Sequence, residues 1–379
     1  MKRLLLLTPG PTQVPPRLCE VLGRPIIHHR TSQFQAFLKE AAEGLQYVLK
    51  TKNDVYIMAS SGTGAMEASV VSFLSPGDKV IVAEAGKFGE RWTELCKAYG
   101  IEAQVIKATW GKSVSPVEIK KALDADKSIK AVFITHSETS TGTNADVQGI
   151  GQVVKDSGAI LIADAVSGLG VQDLQTDNWH VDVVCSASHK GLMLPPGVAF
   201  LSVSPKADAL MASSTIPKYY FDIRKYKKAW AQVDTPFTPS IGIVIALVES
   251  LKMIKEVGID NMLAQYERLA QATRAAALAL GLTLFADKSA ISNVLTAIVM
   301  PDSIDAGKVL KIMRDTHGIS VAPGQDAVKG KIIRIAHMGV IDEYDILTGI
   351  ACLEKVLKQL GHKFEMGAGV GAAQKVFNP

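Results

Sequence analysis

Two apolar runs in the middle of the chain narrow the folds open to it. Residues 159–163 read Ala-Ile-Leu-Ile-Ala and end in Asp164, and residues 181–185 lead through Ser186-Ala187-Ser188 into His189-Lys190. A strand that is apolar at every position, rather than at every second one, must be covered on both faces. Near-continuous runs of Val, Ile, Leu and Ala that read as such strands are predicted at 55–59, 79–83, 103–107, 130–135, 160–163, 181–185 and 198–203. Helical patterns at 65–74, 89–99, 116–125 and 148–157 separate the earlier ones. Gly100 and Gly158 stop two of these helices. Such alternation predicts an α/β fold with a mostly parallel sheet between layers of helices. Acidic and basic residues just past neighbouring strands then meet on one rim of that sheet, where Asp164 and Lys190 are expected.

Beyond residue 240 the pattern changes. Long amphipathic helices are predicted at 241–257 and 261–280. Strands at 294–300 and 332–336 flank a helix at 306–317, and a last helix covers 342–360. The expected organisation is an N-terminal strip over 1–20, a large domain over 21–255 and a smaller α+β domain over 256–379. The small-residue stretch 367–373 is expected to be mobile.

With 379 residues, of which 47% are hydrophobic and 21% charged, the chain has enough apolar side chains for a large core and more than one domain. A net charge of +4, with scattered basic residues, argues against a nucleic-acid partner. No apolar run reaches the roughly 20 residues that a membrane span requires. Leu4–Leu7 is too short for a signal-peptide core and runs at once into Pro9 and Pro11. A cytoplasmic protein is therefore expected. Cys19, Cys96, Cys185 and Cys352 have the spacing of neither a zinc site nor a disulfide framework, so no metal is predicted and all four are expected as buried, reduced thiols.

Several segments carry chemistry. A Lys forms an imine with an aldehyde, and an Asp facing a pyridine nitrogen keeps that ring protonated. The Lys190–Asp164 pairing is thus what pyridoxal 5'-phosphate requires. Lys190 as an ordinary loop lysine and Asp164 as a helix cap are the competing readings. Ser60-Ser61-Gly62-Thr63-Gly64 lies between a strand and a helix, where free backbone N–H groups and hydroxyls cradle a phosphate. A tight turn with Ser or Thr capping the helix fits it equally well. His136-Ser137-Glu138-Thr139-Ser140-Thr141-Gly142 ends another strand with many donors and acceptors, either for a ligand or for a polar turn. Phe88, between Gly86 and Gly89, is a ring-stacking candidate, with Trp92 as the alternative and core packing as the competitor. Arg334 stands alone in an apolar strand; a carboxylate of the substrate is favoured over an internal salt bridge as its partner.

In order and number these segments resemble the class V aminotransferases, in particular the alanine–glyoxylate and serine–glyoxylate group. The resemblance runs from Leu6-Leu7-Thr8-Pro9-Gly10-Pro11-Thr12, through Gly86-Lys87-Phe88-Gly89-Glu90-Arg91, to Arg334-Ile335-Ala336-His337-Met338-Gly339. It implies the pyridoxal-phosphate-dependent transferase fold of type I, with a seven-stranded, mostly parallel sheet in the large domain. It also implies roles. Lys190 carries the cofactor, Asp164 meets the pyridine nitrogen, and Phe88 and Val166 cover the two ring faces. Ser61, Gly62, Thr63 and His189 hold the phosphate, Thr139 lies near the ring oxygen, and Arg334 binds the substrate carboxylate. Thr238, chosen over Thr235, would reach the phosphate of a partner subunit, which implies a homodimer with shared active sites. Thr235 stands where many relatives have Tyr.

The implied reaction moves an amino group from alanine or serine to a 2-oxo acid, foremost glyoxylate. Aspartate, phosphonate and ureidoglycine remain as alternative donors, and a non-catalytic subunit that kept the fold is a further alternative. Cysteine desulfuration would need a nucleophilic Cys on a mobile loop, whereas Cys352 falls in a helical pattern.

Overall fold

A computed structural model describes residues 4–378. Its strands in chain order are β1 (Leu5–Leu7), β2 (Asp54–Met58), β3 (Lys79–Glu84), β4 (Glu102–Lys107), β5 (Ala131–Thr135), β6 (Ser137–Glu138), β7 (Thr143–Asn144), β8 (Ile160–Asp164), β9 (Val183–Ala187), β10 (Ala199–Val203), β11 (Thr283–Leu284), β12 (Leu295–Val299), β13 (Ile319–Pro323) and β14 (Ile332–Ala336). Seven of them form one sheet in the order β2-β10-β9-β8-β5-β3-β4, in which only β10 runs against the rest. The fold is α/β, as expected, and the seven-stranded sheet is mostly parallel.

The apolar runs are explained by what covers the sheet. Within β5, Ala131 and Phe133 enter one core and Val132 and Ile134 the other; β8 divides Ile160 and Ile162 from Leu161 and Ala163 in the same way. One core contains Met66 and Val70 of the helix Gly62–Phe73 and Trp92 of the helix Lys87–Ala98. The other contains Leu38 and Leu45 of the helix Ser32–Leu49 and Leu247 and Leu251 of the helix Ile241–Val257. These last two helices approach closely at Gly44, where an added Cβ would stand 2.8 Å from Leu251.

A second, mixed sheet has the order β1-β13-β14-β12-β11. Its edge strand β1 comes from the N-terminus and pairs in parallel with β13. The predicted helix at 306–317 is α-helical only over Ala306–Lys311 and continues as a π-type turn over Ile312–Thr316. Of residues 367–373, expected to be mobile, Gly367 is the left-handed N-cap and the rest form the start of the helix Ala368–Phe377. Small residues there bring it close to its neighbours: a Cβ at Gly369 would meet Leu280 at 3.1 Å, while Ala373 and Phe377 are buried. Cys19 also departs from expectation. Its helix, Pro16–Leu22, buries Leu18 and Val21 and leaves Cys19 exposed. The other three thiols are buried, with Cys352 inside the helix Glu343–Gln359. No helix among the described residues is long and apolar enough to cross a membrane.

Candidate active site

The strands β2, β3, β5, β8 and β9 run in one direction, because β2 and β9 both lie antiparallel to the intervening β10. The chain therefore leaves all five at the same rim of the sheet, where open α/β sheets bind ligands. The segments emerging there hold Ser61–Thr63, Phe88, Thr139, Asp164 with Val166, and His189–Lys190.

Lys190 is 9% exposed and donates to the carbonyl of Pro9. The N-terminal strip lies directly against it. At Gly10 (φ +103°) a Cβ would fall 2.4 Å from Cδ and 2.8 Å from Nζ of Lys190, so a side chain there would displace the lysine on a backbone that already favours glycine. Thr12 fastens the strip, donating from N to the His189 carbonyl (3.3 Å) and from Oγ1 to the Lys190 carbonyl (3.0 Å). Burial brings the Lys190 ammonium down to about 8; the Asp164 charge opposes that drop, and Arg334 and Arg91 add to it. Burial likewise raises Asp164 to about 6, against the pull of the Val166 N–H at 2.8 Å. Each group feels the other's charge, which puts the amine and the acid in one electrostatic site.

Ser61 occupies the N-cap position of the helix Gly62–Phe73, yet its side chain caps nothing. The alternative of a Ser-capped turn therefore fails here, and the hydroxyls of Ser61 and Thr63 lie on exposed residues. Gly62 packs against Val166, whose Cγ2 would be 2.5 Å from an added Cβ. Burial, and then the Lys190 charge, hold His189 neutral down to about 4, and its buried Nδ1 has no partner.

Phe88 is half-buried, with the Arg91 guanidinium 4.9 Å above its ring. Trp92 is not a stacking residue. It is fully buried against Phe133 and donates from Nε1 to the Ile134 carbonyl at 3.2 Å. Arg334 comes from β14 in the other sheet and is 5% exposed. Among the described residues it makes no ion pair; its guanidinium donates to the carbonyls of Pro323 (2.8 Å) and Thr139. Arg334 and Thr139 thus meet across the two sheets. Thr235 is buried, with its hydroxyl spent on the Phe237 carbonyl at 2.8 Å, whereas Thr238 is exposed.

Two members of this site were not assigned from the sequence. Arg91 donates to Thr63 Oγ1 at 3.2 Å and bears electrostatically on both Lys190 and Asp164. Its position three residues after Phe88 on one helix was the available signal. Glu138 is 1% exposed and accepts hydrogen bonds from the segment that carries Phe88, a long-range contact with no local signature.

The family described as aminotransferase class-V matches residues 9–341. The chain is 44% identical, over 99% of both chains, to a protein of Anabaena cylindrica named soluble hydrogenase 42 kDa subunit. It is 36% identical to the L-aspartate–glyoxylate aminotransferase of Paracoccus denitrificans, over 97% of this chain and 94% of that one. The crystal structure of ureidoglycine–glyoxylate aminotransferase from Bacillus subtilis superposes with a TM-score of 0.96 at 28% identity, covering 100% of this chain and 99% of that one. With the sheet order, the rim and the buried Lys190–Asp164 site in view, the chain belongs to the class V aminotransferases, a family that uses pyridoxal phosphate.

Proposed function

We propose that the protein is a pyridoxal 5'-phosphate-dependent transaminase that moves an amino group from alanine or serine to a 2-oxo acid, foremost glyoxylate. The observation that carries this reading is the buried amine of Lys190, lowered to about 8 and electrostatically coupled to the buried Asp164. The cofactor suits the residues present. The uncapped start of the helix Gly62–Phe73 offers backbone donors and the Ser61 and Thr63 hydroxyls to a phosphate, and the partnerless His189 Nδ1 adds another polar atom.

When bound, pyridoxal phosphate supplies an aldehyde that captures amines and a ring that takes up electron density. Lys190 would hold that aldehyde. The same amine would serve as the base that takes the α-proton of the substrate and later returns it. Its lowered proton affinity keeps part of the amine neutral near pH 8. Asp164 would hold the proton on the pyridine nitrogen, Phe88 and Val166 would confine the ring, and Thr139 would serve the ring oxygen. Arg334, pre-oriented by two carbonyls, grips the α-carboxylate with its remaining N–H groups. The partner subunit's Thr238 completes the phosphate site, so the active form is a homodimer. The division into 1–20, 21–255 and 256–379 and a cytoplasmic location belong to the same reading.

Adding pyridoxal phosphate to the apoprotein is expected to produce the visible absorbance of lysine-linked cofactor, which alanine or serine then bleaches. Lys190→Ala should fold and dimerise but lose both absorbance and turnover; full activity in that variant would refute the assignment. A panel of alanine, serine, aspartate, a phosphonate amine and ureidoglycine against glyoxylate, pyruvate and 2-oxoglutarate identifies the donor. A second reading, a non-catalytic subunit of an oxidoreductase complex, draws on the name of the Anabaena relative. An amine-dependent spectral change would rule it out.

A further inference from the structure

The helix Lys87–Ala98 begins with Gly86 at its N-cap, a residue without a side chain to receive the first helical N–H groups. Those groups are nevertheless satisfied. Phe88 N and Gly89 N both donate to Glu138 Oε2 at 2.9 Å, and Lys87 N donates to Ser140 Oγ at 3.0 Å. Ser140 in turn donates to Glu138 Oε1 from Oγ at 2.6 Å and from N at 3.1 Å. The cap is thus delivered from the loop after β5 rather than from the helix's own chain.

The arrangement suits a carboxylate, whose two oxygens accept from Phe88 N, Gly89 N, Ser140 N and Ser140 Oγ. Burial lifts the Glu138 carboxyl above its ordinary value, and the Ser140, Gly89 and Phe88 donors limit that rise. A proton on either oxygen would face an N–H that cannot accept it. The positive end of the helix dipole adds to the stabilisation. The fit leaves no slack: a Cβ at Gly86 would lie 2.3 Å from Ser140 Oγ and 2.7 Å from Glu138 Cγ. The held helix start carries Phe88 and, one turn on, Arg91 with its bond to Thr63.

We infer that Glu138 is a positioning residue for the proposed reaction: through the Phe88 and Gly89 amides it sets the height and tilt of the Phe88 ring against the cofactor, with Ser140 as its second support. The inference rests on the pyridoxal phosphate reading. Nothing in it requires Glu138 to touch substrate.

The experiment is a double-mutant cycle between Glu138→Gln and Phe88→Leu in the reconstituted protein. It measures the dissociation constant of pyridoxal phosphate and the pH midpoint of the lysine-linked absorbance. A glutamine has one acceptor oxygen and must turn an NH2 group toward an N–H donor on one side or the other. Glu138→Gln is expected to weaken cofactor binding about tenfold and to displace the pH midpoint. Phe88→Leu should weaken binding similarly, and the double variant should be no weaker than Phe88→Leu alone. Unchanged binding in Glu138→Gln, or two losses that multiply in the double variant, would overturn the inference. Should Glu138→Gln not fold, Ser140→Ala takes its place in the cycle, with about a threefold loss expected and the same criterion of non-additivity. Wild-type protein that gains no absorbance would instead sink the function itself, and the inference with it.

Discussion

Two ends of the active-site rim treat the same problem in opposite ways. At one end, the start of the helix Lys87–Ala98 is filled by the protein's own anion, with Glu138 and Ser140 accepting its first N–H groups. At the other, the start of the helix Gly62–Phe73 has no side-chain cap, His189 Nδ1 has no partner, and Lys190 and Asp164 are both displaced from their ordinary acidities by burial. The closed end is finished without a ligand. The open end leaves its helix start and its perturbed Lys190 and Asp164 available to groups from outside the chain.

The largest test of that contrast is to fill the open end. Gly62→Val would drive a side chain into Val166 and the proposed phosphate cradle, and cofactor affinity should fall by at least about a hundredfold, or ~3 kcal/mol, in a titration of the apoprotein. Next is Asp164→Asn. Asp164 is raised from 3.8 to about 6, so between those values the folded wild type binds more protons than the unfolded chain. The contribution of this group to stability therefore falls as pH rises through that window and stays low above it. The asparagine variant escapes the loss. Its apoprotein should match the wild type near pH 4 and exceed it by about 2–3 kcal/mol above pH 6 in urea unfolding. A flat difference across that range would mean that Asp164 is not strained.

Smaller effects separate the two helix starts directly. Ser140→Ala at the closed end removes the acceptor for Lys87 N and should cost about 1–2 kcal/mol of apoprotein stability. Ser61→Ala at the open end removes a hydroxyl that caps nothing, and stability should change by less than about 0.5 kcal/mol while cofactor affinity drops. Equal costs at the two positions would erase the distinction.

Much of the fold could be read from the apolar runs, because strands buried on both faces leave an uninterrupted signal. The helices at 116–125 and 241–257 match the observed Pro116–Ala125 and Ile241–Val257, where Pro116 opens one and Gly258 closes the other. Other features had no such punctuation. The helix Ser32–Leu49 was not anticipated: it begins at a Thr31 cap but ends on Lys50 in a left-handed conformation, where a glycine would have announced the stop. The reversed strand β10 looks like its parallel neighbours, since burial on both faces does not encode direction. At the site, Lys190, Asp164 and Arg334 stood out as charges set against apolar strands. Glu138 did not, since Ser140 is its one near partner and the Phe88 and Gly89 amides that it holds lie 50 and 49 residues away, reached only when β3 and β5 align.

One consequence of the N-terminal strip reaches further. Leu7, the last residue of β1, is zipped to Val321 of the smaller sheet, and two residues later the Pro9 carbonyl receives the Lys190 amine. That is a tether too short to absorb slack. The smaller sheet also carries Arg334, so under the proposed function one continuous piece of structure would present both the stop for the Lys190 amine and the partner of the substrate carboxylate.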